Sequence, residues 1–150
     1  YSKHKMEAED LLQDGFIKVF QNLNQYKSEG PFEQWIRRIM INNAIKKYHK
    51  KSNQNEFLSS DDMPEMFEAE EGMTNLFYNE LIEMVEELPD GYRMVFNLYA
   101  IEGYSHKEIS NMLTISEGTS KSQYARAKSL LQAKILKESK HHQLYGQAKV

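Results

Sequence analysis

The stretch GYSHKEISNMLTISEGTSKSQYARAKSLL, residues 103–131, decides the fold. Ser105 and Glu108 stand three residues apart, which is the spacing of a helix capping box. A tight turn at residues 114–118 ends the short helix that this box begins, and Ser116 is placed to cap a longer helix. A short capped helix, a tight turn and a long basic helix are typical of a helix-turn-helix, which the sequence therefore predicts here.

Hydrophobic periodicity predicts further helices upstream, over residues 74–88 and 92–101, with the longer helix of the motif running to about residue 137. Near the N-terminus, one helix carries apolar residues at i, i+4, i+7, i+8 and i+11, namely Leu12, Phe16, Val19, Phe20 and Leu23. Another is predicted over residues 32–50, with the apolar face Phe32, Trp35, Ile36, Ile39 and Met40. No stretch favours a strand, so the predicted fold class is all-α.

Charge is distributed unevenly along the chain, whose net charge is -3. Residues 1–51 and 91–150 carry +4 and +5, whereas residues 52–90 carry -12 and contain no Lys or Arg. The acidic segment lacks a sustained period at its start, which is typical of a tether. We predict two small helical domains joined by an acidic flexible linker: residues 1–51, a linker over 52–73, residues 74–138 and a polar, frayed tail over 139–150.

Several classes of protein are excluded or disfavoured by composition. The 150 residues include no Cys, which excludes disulfide scaffolds and thiolate zinc sites. A mean hydropathy of -0.72 and the lack of long apolar runs predict no membrane insertion, and no secretory signal is recognisable, so we expect a cytoplasmic protein.

An enzyme is the least favoured of the alternatives. There is no Gly-rich phosphate loop, nucleophile elbow or His-x-x-x-His pair, so we predict no catalytic residue, no metal and no cofactor. The best metal-site hypothesis would use carboxylates that lie in the tether, where no rigid scaffold is predicted. Its members are Asp61, Asp62, Glu65, Glu68, Glu70 and Glu71, with His141 and His142 as further donors.

The predicted second helix of the motif has the character of a DNA-recognition helix. Its first residues are small and polar, so the helix end can approach a duplex closely. Lys121, Arg126 and Lys128 add positive charge for phosphates, although Lys and Arg are ordinarily solvated surface residues. Tyr124 and Leu130 are assigned to the core.

Residues 103–131 resemble region 4 of an extracytoplasmic-function (ECF) sigma factor of the sigma-70 family. The pairs that carry the resemblance are Glu108-Ile109, Gly118-Thr119, Lys121-Ser122 and Arg126-Ala127. Ser110, Ser120 and Gln123 depart from the commoner Ala, Val and Arg. The resemblance implies contacts with the -35 promoter element by Ser120, Lys121, Ser122, Ala125 and Arg126.

The N-terminal segment is similar to the same family. AEDLLQDGFIKVFQNLNQYK, residues 8–27, resembles region 2.2, and FEQWIRRIMINNAIKKYHKK, residues 32–51, resembles regions 2.3 and 2.4. The resemblance implies that core RNA polymerase is contacted by Asp10, Gln13, Asp14, Ile17 and Lys18. It implies recognition of the -10 element by Lys27, Ser28, Arg38, Asn42 and Lys46, with Asn42 seating a flipped base. Arg38, Asn42, Lys46 and His49 form one polar stripe beside Trp35, which we assign to the core.

Most of the family's region 2.1 is not recognisable, so we expect the sequence to be part of a longer protein. Without the region 2.1 helix, we expect part of the apolar face that Phe16 and Ile39 share to be exposed. The resemblance implies three partners: core RNA polymerase, promoter DNA and an anti-sigma factor.

The acidic tether either mimics nucleic-acid charge and masks the basic domains, or is a solvated spacer. The alternative function is that of a helix-turn-helix regulator with an N-terminal sensor or dimerisation domain, which would bind palindromic DNA as a dimer.

Overall fold

The structure, a computed structural model, describes residues 1–54 and 78–146. These two ranges belong to two separate compact units, and neither range contains a strand. The all-α prediction is thereby confirmed for the described residues. None of the helices in the two ranges is long and apolar enough to cross a membrane. The predicted acidic linker, the start of the helix expected at Thr74 and the carboxylates of the metal hypothesis lie outside the described residues.

The first unit is a pair of packed helices. Helix α1 spans Lys5–Gln21 and is followed by a 3-10 turn at Leu23–Gln25. Helix α2 spans Phe32–Gln54, so it continues past the predicted end at Lys50. Both helices were predicted, and the loop between them is where Gly and Pro interrupt the chain.

The side of α1 that faces α2 is not the predicted one. Phe16 and Phe20 are 42% and 73% exposed, whereas Gly15 and Val19 are buried. Gly15 lacks a side chain where α2 approaches, so the helices meet over it. Among the predicted apolar residues, Leu12 and Leu23 are also exposed. The predicted apolar face is therefore wrong for α1 except at Val19, while the expected exposure of Phe16 is seen.

The buried apolar residues of α2 are not the predicted ones: they lie further along the helix and centre on a different side of it. Ile41, Ala44 and Ile45 are buried, while Trp35, Ile36, Ile39 and Met40 are only half-buried and Phe32 is exposed. Buried among these apolar side chains is Asn43. Its amide nitrogen donates to the Leu11 carbonyl oxygen at 3.0 Å, and its amide oxygen accepts from the Lys18 ammonium group. The interface between α1 and α2 is therefore partly polar, which a search for apolar stripes does not detect.

Within residues 78–146, the second unit contains four α-helices. Helix α3 spans Tyr78–Glu86, and α4 spans Asp90–Phe96 and runs on into a π-helical turn. Helix α5 spans His106–Leu113. Helix α6 spans Glu117–Gly146, so it continues through residues that were predicted to form a frayed tail. The core of the unit is formed by Met84, Leu88, Met94, Val95, Leu98, Ile109, Leu113, Ala127 and Leu131.

A buried arginine stabilises the turn between α3 and α4. Arg93 is 3% exposed, and its Nη1 donates to the carbonyl oxygens of Glu86, at 2.9 Å, and Leu88. Its Nη2 forms an ion pair with the Asp90 carboxylate. The last carbonyl groups of a helix have no partner within the helix. Arg93 supplies donors to this end of α3 and thereby joins it to α4.

Candidate nucleic-acid interface

The helix-turn-helix begins with the predicted capping box. The Glu108 backbone N–H donates to Ser105 Oγ at 3.3 Å, and the Ser105 backbone N–H donates to Glu108 Oε2 at 2.8 Å. Hydrogen bonds from the Ser105 hydroxyl and then from its N–H lower the pKa of the Glu108 carboxyl, so this acceptor stays ionised. Thr114 ends α5 in the left-handed region, with φ 57° and ψ 43°.

The N-terminus of α6 is fixed by the second predicted cap. The Thr119 backbone N–H donates to Ser116 Oγ at 2.9 Å, and the two hydroxyls lie 2.8 Å apart. Ser116 therefore satisfies one of the free amides of the first turn, as an N-cap serine should. Both caps of the motif are confirmed by these bonds.

Ser120 faces the interior of the unit and not the outer surface. It is fully buried, and its hydroxyl lies 2.9 Å from Nδ1 of His106 on α5. The His106 ring is stacked on Tyr99 at a centroid distance of 4.3 Å, and Tyr99 packs on Tyr124 at 4.5 Å. A side chain with no exposed surface cannot touch DNA, so the implied contact of Ser120 is corrected to a bond that joins α5 to α6. Tyr124 is half-buried in this aromatic group.

The other candidate -35 residues lie on the outer side of α6. Lys121, Ser122 and Ala125 are exposed. Arg126 is half-buried, and its Nη1 donates to the Tyr92 hydroxyl at 3.2 Å. Sequence reasoning missed Tyr92 because it lies 34 residues from its partner, and no local spacing indicates the contact.

A further charged residue shares this surface. Glu117, the first residue of α6, accepts a hydrogen bond from Lys121 Nζ at 2.8 Å. Their i, i+4 spacing was available in the sequence as a signal for such a pair. Lys128 also has a partner on this helix: its Nζ lies 5.0 Å from the centroid of the Tyr124 ring, which is a cation–π contact.

In the first unit, the candidate -10 residues of α2 lie along an exposed face. Arg38, Asn42 and Lys46 are all exposed, and His49 at the end of this stripe is half-buried. The polar stripe that the spacing predicted is therefore present for its first three members.

The loop before α2 is built on a cluster of aromatic rings. Tyr26 packs on Phe32 and Trp35 at centroid distances of 5.1 and 5.5 Å, and its hydroxyl donates to the Gly30 carbonyl oxygen at 2.6 Å. Lys27 and Ser28 are exposed beside this cluster, with Ser28 at φ 57°. Sequence reasoning assigned Trp35 to the core and missed its two ring partners. The cluster holds the loop against the start of α2.

The candidate polymerase-binding residues occupy the outer side of α1. Asp10, Gln13, Asp14 and Ile17 are exposed, together with Phe16 and Phe20. Lys18 is half-buried and bonded to Asn43, so its ammonium group already takes part in the contact between α1 and α2. The outer side of α1 is a mixed acidic and apolar surface.

Comparisons with known proteins match both units. The family model of "Sigma-70 region 2" matches residues 1–54, and that of "Sigma-70, region 4" matches residues 78–131. The ECF RNA polymerase sigma factor SigE of Mycolicibacterium smegmatis is 29% identical over 147 residues, covering 92% of this chain and 55% of that protein. SigM of Bacillus subtilis is 29% identical over 135 residues, covering 88% of this chain and 82% of that protein.

Two further similarities agree with these. The ECF sigma-E factor of Escherichia coli K12 is 27% identical over 142 residues, covering 86% of this chain and 74% of that protein. Among solved structures, the sigma factor RpoE of Bartonella quintana, in complex with the anti-sigma factor NepR, matches with a TM-score of 0.53 and 19% identity. That match covers 88% of this chain and 82% of the other, and it shows the fold alone. The chain spans about half the length of the mycobacterial relative, at 55%, and 82% and 74% of the Bacillus and Escherichia relatives.

A helical unit followed by a helix-turn-helix unit, matched in that order by the models of sigma-70 regions 2 and 4, defines a protein of the sigma type. The chain belongs to the sigma-70 family, and within it to the extracytoplasmic-function sigma factors. The resemblance seen in the sequence is confirmed.

Proposed function

We propose that this chain binds core RNA polymerase and directs promoter-specific transcription initiation, reading the -35 element with its second unit and the -10 element with its first. The observation that carries the proposal is the match of regions 2 and 4, in the family's order, to residues 1–54 and 78–131. The chain acts in the cytoplasm as a specificity subunit with no catalysis of its own. The single test is transcription from a promoter library by core polymerase with and without the chain.

Recognition of the -35 element is assigned to the outer side of α6. Lys121, Ser122, Ala125 and Arg126 are the contacting residues, and Ser120 is left out because it is buried. Lys121 and Arg126 are separated by about 140° around the helix, so they do not read one base edge together. The Tyr92 hydroxyl holds the Arg126 guanidinium beside the helix, which suits a contact with the sugar-phosphate backbone.

Arg126→Ala should weaken binding to all duplex sequences alike and lower the slope of log affinity against log salt by about 1. Lys121→Ala should instead relax the preference at one base pair, by about 1–3 kcal/mol. Binding is measured by fluorescence anisotropy over a range of salt concentrations, with a matched set of single-base-pair variants of the duplex. Tyr92→Phe keeps the ring and removes only the hydroxyl, so it should reproduce part of the Arg126→Ala effect. A sequence-selective loss in Arg126→Ala would contradict the assignment.

Recognition and melting of the -10 element is assigned to α2 and the loop before it. Arg38 and Lys46 supply positive charge for phosphates, and Asn42 between them supplies an amide that pairs with a base edge. Lys27 and Ser28 lie at the start of the same surface, in the loop that the aromatic cluster supports. Exposed polar groups beside aromatic rings are the combination that single-stranded DNA binds.

Docking on core polymerase is assigned to the outer side of α1. Asp14→Lys reverses a charge at an exposed position there, and we expect it to weaken binding to core polymerase by at least about tenfold, because a surface that accepts a carboxylate at this position would then face an ammonium group. Gln13→Ala should have a smaller effect in the same direction. Neither variant should change the binding of the second unit to DNA.

Affinity for core polymerase is measured by competition with a labelled sigma factor. Glu33→Lys makes the same charge change at an exposed site on α2 and is the matched control. Unaltered polymerase affinity in both Asp14→Lys and Gln13→Ala would reject the docking assignment.

An anti-sigma factor is the third proposed partner. The structural neighbour from Bartonella quintana was solved bound to one, which supports a protein partner of this class for the present chain. The exposed apolar side chains of α1 offer a surface of the kind that protein partners cover.

A further inference from the structure

Two opposite charges stand together on consecutive turns at the start of the recognition helix. Glu117 Oε1 lies 2.8 Å from Lys121 Nζ, and the two side chains are 49% and 61% exposed. A glutamate four residues before a lysine is the favoured order for an ion pair on a helix. Most such pairs are simply solvated, but this one lies on the side of α6 that carries Ser122 and Ala125, the surface assigned to DNA.

Several neighbours hold the Glu117 carboxylate in its ionised form. The hydrogen bond from Lys121 lowers its pKa most, followed by the charge of Lys121, with smaller contributions from His106 and Lys107 on α5. An ionised carboxylate only accepts hydrogen bonds, and an ammonium group only donates them. The pair therefore presents an accepting carboxylate and, through the two N–H groups that do not bond Glu117, a donating ammonium group, side by side, to a ligand of this surface.

We propose that Glu117 and Lys121 act as one unit that reads a single G·C base pair in the major groove, the carboxylate accepting from cytosine N4 and the ammonium donating to guanine O6 and N7. The inference rests on the proposed function of the second unit. Within a G·C pair, N4 and O6 are hydrogen-bonded to each other and so lie about 2.9 Å apart. The 2.8 Å separation of the two side-chain atoms matches this spacing.

The arrangement rejects the other base pairs by repulsion. From the purine side, a G·C edge presents two acceptors and then a donor. An A·T edge presents acceptor, donor and acceptor, so that the carboxylate would face the thymine O4 oxygen and the ammonium would face an amino group. A reversed C·G pair places both charges against groups of the wrong kind. Specificity of this kind uses an unfavourable contact with the wrong partner as well as a favourable one with the right partner.

The pair also limits non-specific binding. Because Glu117 balances the charge of Lys121, the first turns of α6 add little attraction for phosphates in general. Glu117→Gln would leave the Lys121 charge unbalanced. We therefore expect this variant to bind all duplexes more tightly while it loses selectivity at one position.

The experiment uses the full chain bound to core polymerase and a duplex library randomised over the -35 element. Glu117→Gln, Lys121→Met and the double variant are compared with Glu138→Gln, which makes the same charge change far along α6, roughly 30 Å away. We expect each single variant to reduce the preference for G·C about 5- to 100-fold at one and the same base pair. The double variant should lose no more than the single variants, and Glu138→Gln should keep the parent preference.

Suppose that the parent chain selects its promoter. The proposal that Glu117 and Lys121 read one base pair together would then be overturned if the two single variants lost preference at different base pairs, or if Glu117→Gln kept the parent preference. A parent chain that shows no sequence preference with core polymerase would instead overturn the proposed function itself. Since both side chains are exposed, the variants are expected to keep the fold, and their far-UV circular dichroism is the check.

Discussion

Arg93→Met should lower the free energy of unfolding of the second unit by about 3 kcal/mol, since hydrogen bonds to charged groups contribute roughly 1.5–3 kcal/mol each. Methionine fills much of the same volume but leaves the carbonyl oxygens of Glu86 and Leu88 without the guanidinium donors that reach them. A small domain has a total stability of roughly 5–15 kcal/mol, so the change is a large part of it. The measurement is urea denaturation followed by far-UV circular dichroism.

The single tryptophan, Trp35, lies in the first unit and reports it separately. Its fluorescence transition should be the same in Arg93→Met as in the parent chain. Asp90→Asn is the matched variant, because it removes the ion pair and keeps both hydrogen bonds from Arg93 to the carbonyl oxygens. Since the Asp90 side chain is 37% exposed, this variant should lower the free energy of unfolding clearly less than Arg93→Met does. Equal losses in the two variants would mean that the ion pair, and not the capping of α3, stabilises the turn.

The sequence predicts contacts between residues that are close in the chain, and it does not predict contacts between different helices. Ser105, Glu108 and Ser116 make their bonds within three residues, so spacing alone predicts both caps and the turn between them. Arg93 is different. Its bonds to Glu86 and Leu88 join the end of one helix to the next, and no periodic pattern distinguishes a buried arginine from a solvated one.

The packing of α1 shows a second limit. Hydrophobic periodicity favours the side with Phe16 and Phe20 because large apolar side chains dominate any such pattern. The side that packs on α2 centres on Gly15, which contributes nothing to a hydropathy count. Met40, a residue of the other helix, comes close to Gly15 on this side, and this approach is visible only in three dimensions.

The residues of the candidate DNA-binding surface on α6 were also predicted in part. Lys121, Ser122, Ala125 and Arg126 were all named from the resemblance, and the structure leaves the first three exposed. Ser120 was named for the same reason and lies in the interior. A resemblance transfers positions in the chain, whereas burial depends on the neighbour, which at Ser120 is the His106 ring.

Gly15→Val should destabilise the first unit by roughly 1–3 kcal/mol, the usual cost of forcing extra atoms into a packed contact. A Cβ atom at this position would overlap Sδ of Met40. The methionine side chain is flexible, so its rotation relieves part of the conflict, and the expected loss is therefore at the lower end of this range. The higher helix propensity of valine relative to glycine offsets only a few tenths of a kcal/mol. The fluorescence of Trp35 during urea denaturation measures the loss in this unit, because the ring lies on α2, the helix that carries Met40.

Gly30→Val is the matched control, because nothing lies within 4 Å of a Cβ atom built there. We expect it to be close to neutral. Met40→Ala provides the decisive comparison. If steric conflict with Met40 is the cause, Gly15→Val should cost less in the Met40→Ala background than alone, with a coupling of at least about 0.5 kcal/mol. Additive losses would show that valine acts through some other neighbour, and the close contact of α1 with α2 at Gly15 would then not be what selects the buried side of α1.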